Sequence, residues 1–447
     1  MPANLLNIAP STDRRSACPG LFRMTRALDG FICRIKLPLG RITCQQADEI
    51  ARLSQTYGNG IIELTIRSNL QLRGVKPENR EALIAALIAC GLGPLRPEGD
   101  DVRTVMVNPT IGMDASQLTD TTDLANELLR ILQLTPRYHA LSPKFSLLVD
   151  GGEACAITTH PNDIWLSACE DGEHFAFGFG CVPLQSDYII RQTDALAFVC
   201  ACLDKFLALA EQFNISRMKQ LFAYISHEEL IAEIKKQFSG IIASSHWQRQ
   251  EAKAFTQLGQ HKHRDETKYY VSAMPFLGRL SPQDLQKLGI IALSAGADYF
   301  CLTPWQSFLI PNIDAEKAPA ILRALHEAGF ATKSHDIAAN IRACSGSKGC
   351  ASALADTQSD AKQLAQLLGQ QTMPFIHLTG CAKSCASLSA LPVTLLATKP
   401  QHYDLFLQDK TGRSRFGRLL ASNITIQDAA KLLQQHQISK PTGTGNV

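Results

Sequence analysis

Four cysteines in the C-terminal part of the chain have a spacing that suits a metal cofactor. Cys344 and Cys350 form a C-x5-C pair, and Cys381 and Cys385 form a C-x3-C pair. Both pairs lie in runs of small residues, whose backbone N–H groups can approach a cofactor and donate to its sulfurs. The pattern favours a [4Fe–4S] cluster. Two alternatives remain open: a zinc site, which prefers closer cysteine spacing, and four thiols that hold no cofactor.

A run of alternating polar residues forms a second candidate for ligand binding. Arg67, Asn69, Gln71 and Arg73 would share one face of a strand, because side chains alternate along a strand. Arginine on such a face suits a carboxylate ligand, which the planar guanidinium can bind through two hydrogen bonds. The same residues would also suit a solvent-facing edge strand, so the pattern alone leaves both interpretations open.

The alternating run follows a segment that occurs twice in the chain. Residues 40–65 align without a gap with residues 278–303, and six positions are identical. Each copy predicts a cap (Thr43 or Ser281), an amphipathic helix and a β-rich run. The second copy has Trp305, Ser307, Leu309 and Pro311 where the first has its polar run. We therefore predict an internal duplication in which one half holds a polar ligand.

The elements that must position these residues indicate a mixed α/β protein with helices packed on sheets. Hydrophobic periodicity predicts helices over Glu78–Cys90, Asp120–Leu132, Thr193–Glu211, Glu228–Gln237, Pro282–Gly296, Ala315–Gly329, Ser359–Leu368 and Ile426–His436. The polar stretch Ser239–Thr267 is predicted to connect the halves. His261 and His263 in this stretch could bind a metal, but a solvated linker is favoured because no acidic or thiol partner is near in sequence.

Composition excludes several classes of protein. The 447 residues are 45% hydrophobic and 19% charged, which excludes a disordered or fibrous chain. The net charge of +3 is far below that of a typical nucleic-acid binder. No apolar run is long enough to span a bilayer, and the first residues lack the pattern of a secretory signal. We expect a soluble cytoplasmic protein, with no nucleic-acid or membrane partner, whose other cysteines are mostly small buried hydrophobes.

The cysteine quartet, the repeat and the Thr65–Gln71 run together resemble the sulfite/nitrite reductase superfamily. The resemblance extends from about residue 18 to about residue 397. Within the superfamily, the sequence is most similar to the precorrin-3B synthases, oxygen-dependent enzymes of cobalamin biosynthesis. The motifs that carry this similarity are Ser16–Leu21, Asp29-Gly30 followed by Arg34, Leu64–Gly74, Lys144-Phe145, Asp150–Gly152 and Gly380–Cys385.

The resemblance implies a duplicated α/β (α+β) fold with a tetrapyrrole site between the halves and a [4Fe–4S] cluster on the four cysteines. It divides the chain into a first ferredoxin-like half repeat (16–80), a first α/β domain (81–240), a linker (241–267), a second half repeat (268–335) and a second α/β domain carrying the cysteines (336–440). No G-x-G-x-x-G motif opens a helix after a strand, so a Rossmann-type dinucleotide site is not expected.

Two positions depart from the pattern of true sulfite reductases. Those enzymes surround a small oxyanion with several cations, whereas Glu63 stands here for an Arg and Ser146 for a Lys. These departures argue against sulfite or nitrite reduction. By resemblance, the candidate substrate-binding residues are Arg67, Asn69, Gln71, Arg73, Arg103 and Lys144.

The activity implied by the resemblance is hydroxylation of precorrin-3A at C-20 with dioxygen, followed by γ-lactone formation. The cluster would relay electrons from an external donor, NADH through a reductase or a ferredoxin. The family is also described as using a non-haem iron, whose ligands the sequence does not identify; Glu63 and Asn69 could be ligands or polar contacts. The catalytic residues are unknown. The alternatives are a sirohaem-dependent sulfite or nitrite reductase, in which Cys385 would bridge cluster and haem iron, and a non-catalytic iron–sulfur protein that binds a tetrapyrrole.

Overall fold

The computed structural model describes residues 18–252, 258–369, 371–387, 391–408 and 415–435. The strands, in chain order, are β1 (Thr25–Ala27), β2 (Gly30–Ile35), β3 (Arg41–Thr43), β4 (Ile62–Leu64), β5 (Leu70–Val75), β6 (Val105–Val107), β7 (Leu147–Asp150), β8 (Asn162–Ala168), β9 (His174–Cys181), β10 (Gln185–Arg191), β11 (Ile242–Gln248), β12 (Gly259–Lys262), β13 (Lys268–Ala273), β14 (Arg279–Leu280), β15 (Tyr299–Leu302), β16 (Phe308–Asp314), β17 (Ile341–Ala343), β18 (Ile376–Thr379), β19 (Val393–Lys399), β20 (His402–Leu407) and β21 (Arg418–Ile424).

The helices are α1 (Cys44–Tyr57), α2 (Arg80–Ala89), α3 (Thr122–Leu134), α4 (Ala195–Phe213), α5 (Met218–Leu221), α6 (His227–Lys235), α7 (Pro282–Ser294), α8 (Ala318–Glu327), α9 (Ile337–Asn340), α10 (Gly346–Gly349), α11 (Thr357–Leu368) and α12 (Ile426–Gln435). The eight predicted helices are all present, with ends shifted by a few residues. His436, the predicted end of the last helix, lies outside the described residues. Within the described residues, no helix combines the length and apolar character needed to cross a membrane.

The duplication predicted from the sequence is confirmed by two equivalent antiparallel sheets. Their strand orders are β1-β2-β5-β4-β14 and β12-β13-β16-β15-β3. The last strand of each sheet comes from the other half, since β14 pairs with β4 and β3 pairs with β15. One hydrophobic core includes residues of both α1 and α7. The two halves are therefore interlocked and share a core.

The equivalence of the halves extends to backbone conformation. Ser68 and Gln306, which are equivalent in the ungapped alignment, both have positive φ angles, of 54° and 60°. The turns around them close with hydrogen bonds of the same length, 2.9 Å, from Thr65 N to the Asn69 carbonyl and from Thr303 N to the Ser307 carbonyl. Helices α1 and α7 both begin with a capping box, from Thr43 and Ser281. The duplication has thus preserved local backbone geometry where the side chains differ.

The two larger sheets also share one arrangement of strands. The first has the order β11-β10-β9-β8-β7-β6, and the second has the order β17-β18-β19-β20-β21. In each, the three consecutive strands β6–β8 or β17–β19 are parallel and the strands that follow are antiparallel. The first strand of the parallel set is followed by a helix, α3 or α11. The cysteine-carrying sheet therefore has a structural counterpart in the first half of the chain.

Two parts of the stretch predicted as a solvated linker form strands. Strand β11 pairs with β10 of the first large sheet, and β12 pairs with β13 of the second half repeat. Trp247 of β11 packs against Trp165, with ring centroids 6.1 Å apart. His261 bonds through its ring to the Leu258 carbonyl at 2.8 Å. The segment lies between the two halves and also contributes an edge strand to a sheet of each, and polar side chains on edge strands give it a loop-like composition. Residues 253–257 lie outside the described residues.

Candidate active site

The second large sheet brings the two cysteine pairs to one edge. Strands β17 and β18 are parallel neighbours, with Ala343 opposite Leu378. Cys344 directly follows β17, and Cys381 lies just beyond the end of β18. The ends of adjacent parallel strands meet at the same edge, so residues far apart in sequence become neighbours. The backbone N–H of Gly380 donates to the Cys344 sulfur at 3.2 Å.

The remaining two cysteines lie in the loops that continue from this edge. Cys350 ends the short helix α10, and Cys385 is exposed. Burial raises the pKa of the Cys385 thiol, and the neighbouring Cys381, Cys344 and Cys350 thiols raise it further. All four thiols therefore lie within electrostatic reach of one another. A Cβ on Gly380 would be 2.5 Å from the Cβ of Ala353, so this loop requires glycine.

These residues fit an iron–sulfur cluster in donor type and surroundings. Thiolates are the usual ligands of such clusters, and the Cys344 sulfur already has Gly380 N–H and the Thr357 hydroxyl, at 3.4 Å, as hydrogen-bonding neighbours. In the described part of the chain, no group of three or more His, Cys, Asp or Glu side chains is arranged to hold a single metal ion. The four cysteine sulfurs are therefore not gathered around one ion. A bound cluster would be held by the four cysteines together.

A network of charged side chains covers one face of the first half-repeat sheet. Gln71 accepts from Arg34 at 2.7 Å and donates to Glu63 at 3.2 Å. Glu63 also pairs with Arg279, a residue of the other half, at 2.6 Å and with Arg73 at 3.2 Å. The network thus runs across four strands of the sheet, from β2 through β5 and β4 to β14.

Arg73 connects this network to the cysteine loop. Its guanidinium bonds both oxygens of Asp29 at 2.8 Å, and its side chain is only 3% exposed. Burial alone would lower the pKa of Arg73, but Asp29 and Glu63 raise it. The guanidinium lies 3.5 Å from the Ser345 hydroxyl. A Cβ atom on Gly349 would lie 2.7 Å from the same guanidinium. Arg73 therefore supports the loop between Cys344 and Cys350, with its donors already engaged.

The prediction that four polar residues share one face of a strand was wrong in one respect. Strand β5 begins at Leu70, and the left-handed turn at Ser68 places Arg67 and Asn69 before the strand. The Asn69 side chain is buried and accepts from Leu37 N at 2.8 Å, so it fixes the backbone. Gln71 and Arg73 are the members of the run that lie on β5. A strand pattern read from sequence alone does not detect a turn of this kind.

Arg67 extends from that turn toward the first large domain. It donates to the carbonyls of Pro143, at 3.1 Å, and Lys144, at 2.7 Å. Burial, together with the positive charges of Arg217 and Arg34, lowers the pKa of Arg67 to about 10. The group nevertheless remains charged at neutral pH. A half-buried arginine that bonds only to neutral carbonyls is suited to an anionic ligand.

The other two predicted cations differ from Arg67. Arg103 is 5% exposed, pairs with Asp100 at 3.1 Å and donates to the carbonyls of Leu92 and Gly93. Its donors are engaged by neighbouring protein groups, so the structure gives it a supporting role. Lys144 is exposed at the edge of the site. For Lys144, as for Arg67 and Gln71, contact with a ligand stays a prediction.

Four residues that the sequence analysis did not assign also belong to this region: Asp29, Arg279, His160 and Arg217. Asp29 carried a signal, because it belongs to a motif of the resembling family. No motif in the sequence marked Arg279, His160 or Arg217 as part of the site, because their partners are distant in sequence. Burial lowers the pKa of His160, and the charges of Arg67 and Arg217 lower it further. His160 is therefore a neutral imidazole near neutral pH.

Comparison with known proteins agrees with this architecture. The model of the nitrite/sulfite reductase ferredoxin-like half domain matches residues 25–90 and 261–328. The model of the nitrite and sulphite reductase 4Fe-4S domain matches residues 98–241, in the first large domain. Together these matches cover more than half of the chain. The chain belongs to the nitrite and sulfite reductase superfamily.

Individual relatives include two types of enzyme. The chain is similar to the chloroplastic ferredoxin–nitrite reductase of Zea mays, with 27% identity over 84% of this chain and 71% of the relative. It is similar to the precorrin-3B synthase of a Sinorhizobium species, with 26% identity over 94% of this chain and 91% of the relative. The structure of the Mycobacterium tuberculosis NirA protein shares the fold, with a TM-score of 0.73, 16% identity, and coverage of 92% of this chain and 82% of that one. The chain is thus an oxidoreductase of this superfamily.

Proposed function

We propose that this protein is a precorrin-3B synthase, which hydroxylates precorrin-3A at C-20 with dioxygen and forms a γ-lactone from the ring A acetate. One oxygen atom would enter the tetrapyrrole, and the other would be reduced to water by two electrons and two protons. The relative named precorrin-3B synthase aligns over nearly the full length of both chains, which supports this choice.

The observation that carries the proposal is the environment of Glu63. The resemblance places a cation at this position in enzymes that reduce small oxyanions. Here Glu63 is a carboxylate, half-buried and held by Arg279, Arg73 and Gln71. The carboxylate removes a cation from this place and occupies donors of Arg279 and Arg73, so fewer positive charges remain free to bind nitrite or sulfite.

The cations that remain suit a larger ligand. Arg34 and Arg67 bond to neutral acceptors, the Gln71 amide and two backbone carbonyls. A precorrin carries several carboxylates at its periphery, and arginine binds carboxylates through paired hydrogen bonds. The site therefore suits a large ligand that carries several carboxylates and reacts at an uncharged carbon. It suits a small oxyanion such as nitrite or sulfite less well.

The proposal includes a [4Fe–4S] cluster on Cys344, Cys350, Cys381 and Cys385, which would supply single electrons to the site. The electrons would come from an external donor, NADH through a reductase or a ferredoxin. A non-haem iron is part of the proposal by resemblance, without assigned ligands. We also propose a cytoplasmic location, where cluster-binding thiols stay reduced.

Absorption and low-temperature EPR spectra of protein purified without air test this proposal. We expect a broad iron–sulfur absorption without sharp haem bands, and a [4Fe–4S]⁺ signal after dithionite reduction. Strong sirohaem bands would contradict it and favour the reductases. A colourless protein that contains zinc would contradict both enzymatic functions.

The second candidate is a sirohaem-dependent nitrite reductase. The observation that favours it is the similarity to several ferredoxin–nitrite reductases at 25–27% identity. It predicts oxidation of reduced methyl viologen that depends on nitrite. We expect no such oxidation with the wild-type protein, because Glu63 stands where the resemblance places a cation in the reductases.

A further inference from the structure

We propose that the hydroxyl of Thr357 donates a hydrogen bond to the Cys344 sulfur when the cluster is bound, and that this bond raises the reduction potential of the cluster. Thr357 acts through Cys344, as a positioning residue that is not itself a ligand. The inference rests on the proposed cluster, although it does not depend on the reaction at the tetrapyrrole. It deepens the proposed function, because the potential of the cluster decides which external donors can reduce it.

Thr357 lies directly behind the loop that carries the first cysteine pair. It is the first residue of α11 and is buried, and its hydroxyl oxygen is 3.4 Å from the Cys344 sulfur and 2.8 Å from the Cys344 carbonyl oxygen. Gly346 in this loop has a φ of 68°, and a Cβ there would lie 3.1 Å from the Thr357 hydroxyl oxygen. The loop is therefore packed onto Thr357, whose β-branched side chain has few rotamers. This packing keeps the hydroxyl beside the sulfur.

The Thr357 hydroxyl has one proton to donate and two acceptors on Cys344, the carbonyl oxygen and the sulfur. The carbonyl has a second donor, because Gln358 Nε2 lies 2.9 Å from it. It therefore stays hydrogen-bonded when the Thr357 hydroxyl turns to the sulfur. A cluster ligand is a thiolate, and hydrogen bonds to an anionic acceptor are stronger than those between neutral groups. Deprotonation of Cys344 thus favours the bond from Thr357 to the sulfur.

Hydrogen-bond donors are distributed unequally among the four cysteine sulfurs. The Cys344 sulfur has the Gly380 backbone N–H at 3.2 Å in addition to the Thr357 hydroxyl. Among the described residues, no donor reaches the sulfurs of the other three cysteines. Reduction adds one negative charge to a cluster, and a hydrogen bond to a ligand sulfur stabilises that charge most effectively in a buried site. Of the two donors to Cys344, Thr357 is the one that a substitution can remove.

The first large sheet offers a matched control at the equivalent position. Helix α3, the counterpart of α11, also begins with a threonine, Thr122. The Thr122 hydroxyl donates to the Asp120 carboxylate at 2.6 Å, at the surface of the first large domain. Thr122→Val therefore removes the same hydroxyl from the same place on a helix, away from the cysteine loops.

A redox titration of the cluster, followed through its [4Fe–4S]⁺ EPR signal, tests the proposal. The midpoint potential would be measured in full-length protein purified without air, for the wild type and three variants. We expect Thr357→Val to lower the equilibrium constant for reduction about tenfold, or ~59 mV for one electron. Thr357→Ser keeps the hydroxyl, so its equilibrium constant should stay within about twofold of the wild-type value. Thr122→Val should leave the potential unchanged.

The outcomes separate this inference from the proposed function. A wild-type potential in Thr357→Val, or an equal fall in Thr357→Val and Thr357→Ser, would overturn the role of Thr357 and leave the cluster in place. A wild-type protein without any [4Fe–4S]⁺ signal would overturn the proposed cluster and this inference together. A potential shift in a protein that does not hydroxylate the tetrapyrrole would overturn the proposed reaction alone.

A second variant keeps the test decisive if Thr357→Val binds too little iron to titrate. In Gln358→Leu, the Cys344 carbonyl loses its second donor and competes with the sulfur for the Thr357 hydroxyl proton. We expect this variant to lower the potential as well, although by less than Thr357→Val. An unchanged potential in Gln358→Leu would overturn the proposed hydrogen bond.

Discussion

The two half repeats share a backbone but present opposite chemistry on equivalent faces. Where the first half has Arg34, Glu63, Gln71 and Arg73, the ungapped alignment places Ser272, Cys301, Leu309 and Pro311 in the second. Cys301 and Leu309 pack with Met113 and Tyr270 in a small apolar cluster. The first face instead contacts the cysteine loop at Ser345. The duplication has thus kept turns and core in both halves while only one interface became polar.

The two large sheets differ in a similar way at equivalent strand ends. Cys344 and Cys381 follow β17 and β18, whereas Asn108 follows β6 and Asp150 ends β7. The Asn108 amide donates to Asp150 at 2.7 Å and to Glu153 at 2.6 Å, and Asp150 pairs with Arg249 at 2.6 Å. These groups bond to one another in the interior, although Glu153 Oε1 has no hydrogen-bond partner. One sheet therefore has the candidate cofactor ligands at its strand ends, and the other has a buried polar network there.

The largest expected effect distinguishes the four cysteines of the candidate cluster site from a cysteine buried in the apolar face of the second half repeat. Cys381→Ser should remove nearly all cluster iron, because an alcohol is a poor ligand for iron–sulfur clusters. Cys301→Ala, in the apolar face of the second half, should leave iron unchanged. Iron and acid-labile sulfide per chain would be measured in protein purified without air. Equal iron loss in both variants would contradict the assignment of the cluster to Cys344, Cys350, Cys381 and Cys385.

A smaller effect is expected at equivalent positions of the two half-repeat faces. Arg34→Gln should weaken binding of uroporphyrin III about tenfold, because one charge-assisted contact is lost. Ser272→Ala, at the equivalent position of the second half, should leave affinity unchanged. The measurement is a fluorescence titration of both variants beside the wild type. Equal weakening by Ser272→Ala would show that the ligand contacts both faces.

The smallest expected effect concerns Glu153 in the first large sheet. Burial and the neighbouring Asp150 carboxylate together raise the pKa of Glu153 to about 8. The folded state therefore binds this proton more tightly than the unfolded chain, so this group's contribution to stability is largest below about pH 4.5 and is lost as pH rises through 8. We expect the free energy of unfolding to fall by on the order of 1–2 kcal/mol between pH 5.5 and 6.5.

Glu153→Gln isolates this contribution, because the amide does not titrate. Chemical denaturation at both pH values should show a flatter dependence in the variant than in the wild type. An equal slope in the two proteins would mean that other groups cause the pH dependence. Glu127→Gln, on the exposed face of α3, serves as a control that removes a carboxylate outside the network.

The sequence predicted the duplicated fold because its signals are local. The caps at Thr43 and Ser281 and the ungapped register of the repeat need no knowledge of tertiary contacts. The cysteine quartet was found for the same reason, since spacing is visible in sequence. The second large α/β domain was expected only from the resemblance, because Asn108 and Asp150 share no residue type with Cys344 and Cys381.

The side-chain partners within the candidate site could not be predicted in the same way. Arg73 pairs with Asp29 from the turn between β1 and β2, and Arg217 pairs with Asp163 from a different part of the first large domain. The turn at Ser68 interrupts a run that alternation alone assigns to one strand. Such contacts depend on how separate elements approach, and no local pattern encodes that approach.

The most direct measurement supplies precorrin-3A and ¹⁸O₂ to the reduced enzyme and analyses the tetrapyrrole by mass spectrometry. We expect a product that carries one ¹⁸O atom, together with no consumption of nitrite or sulfite in parallel reactions. An unchanged tetrapyrrole, with rapid consumption of nitrite or sulfite by the same preparation, would contradict the proposed function.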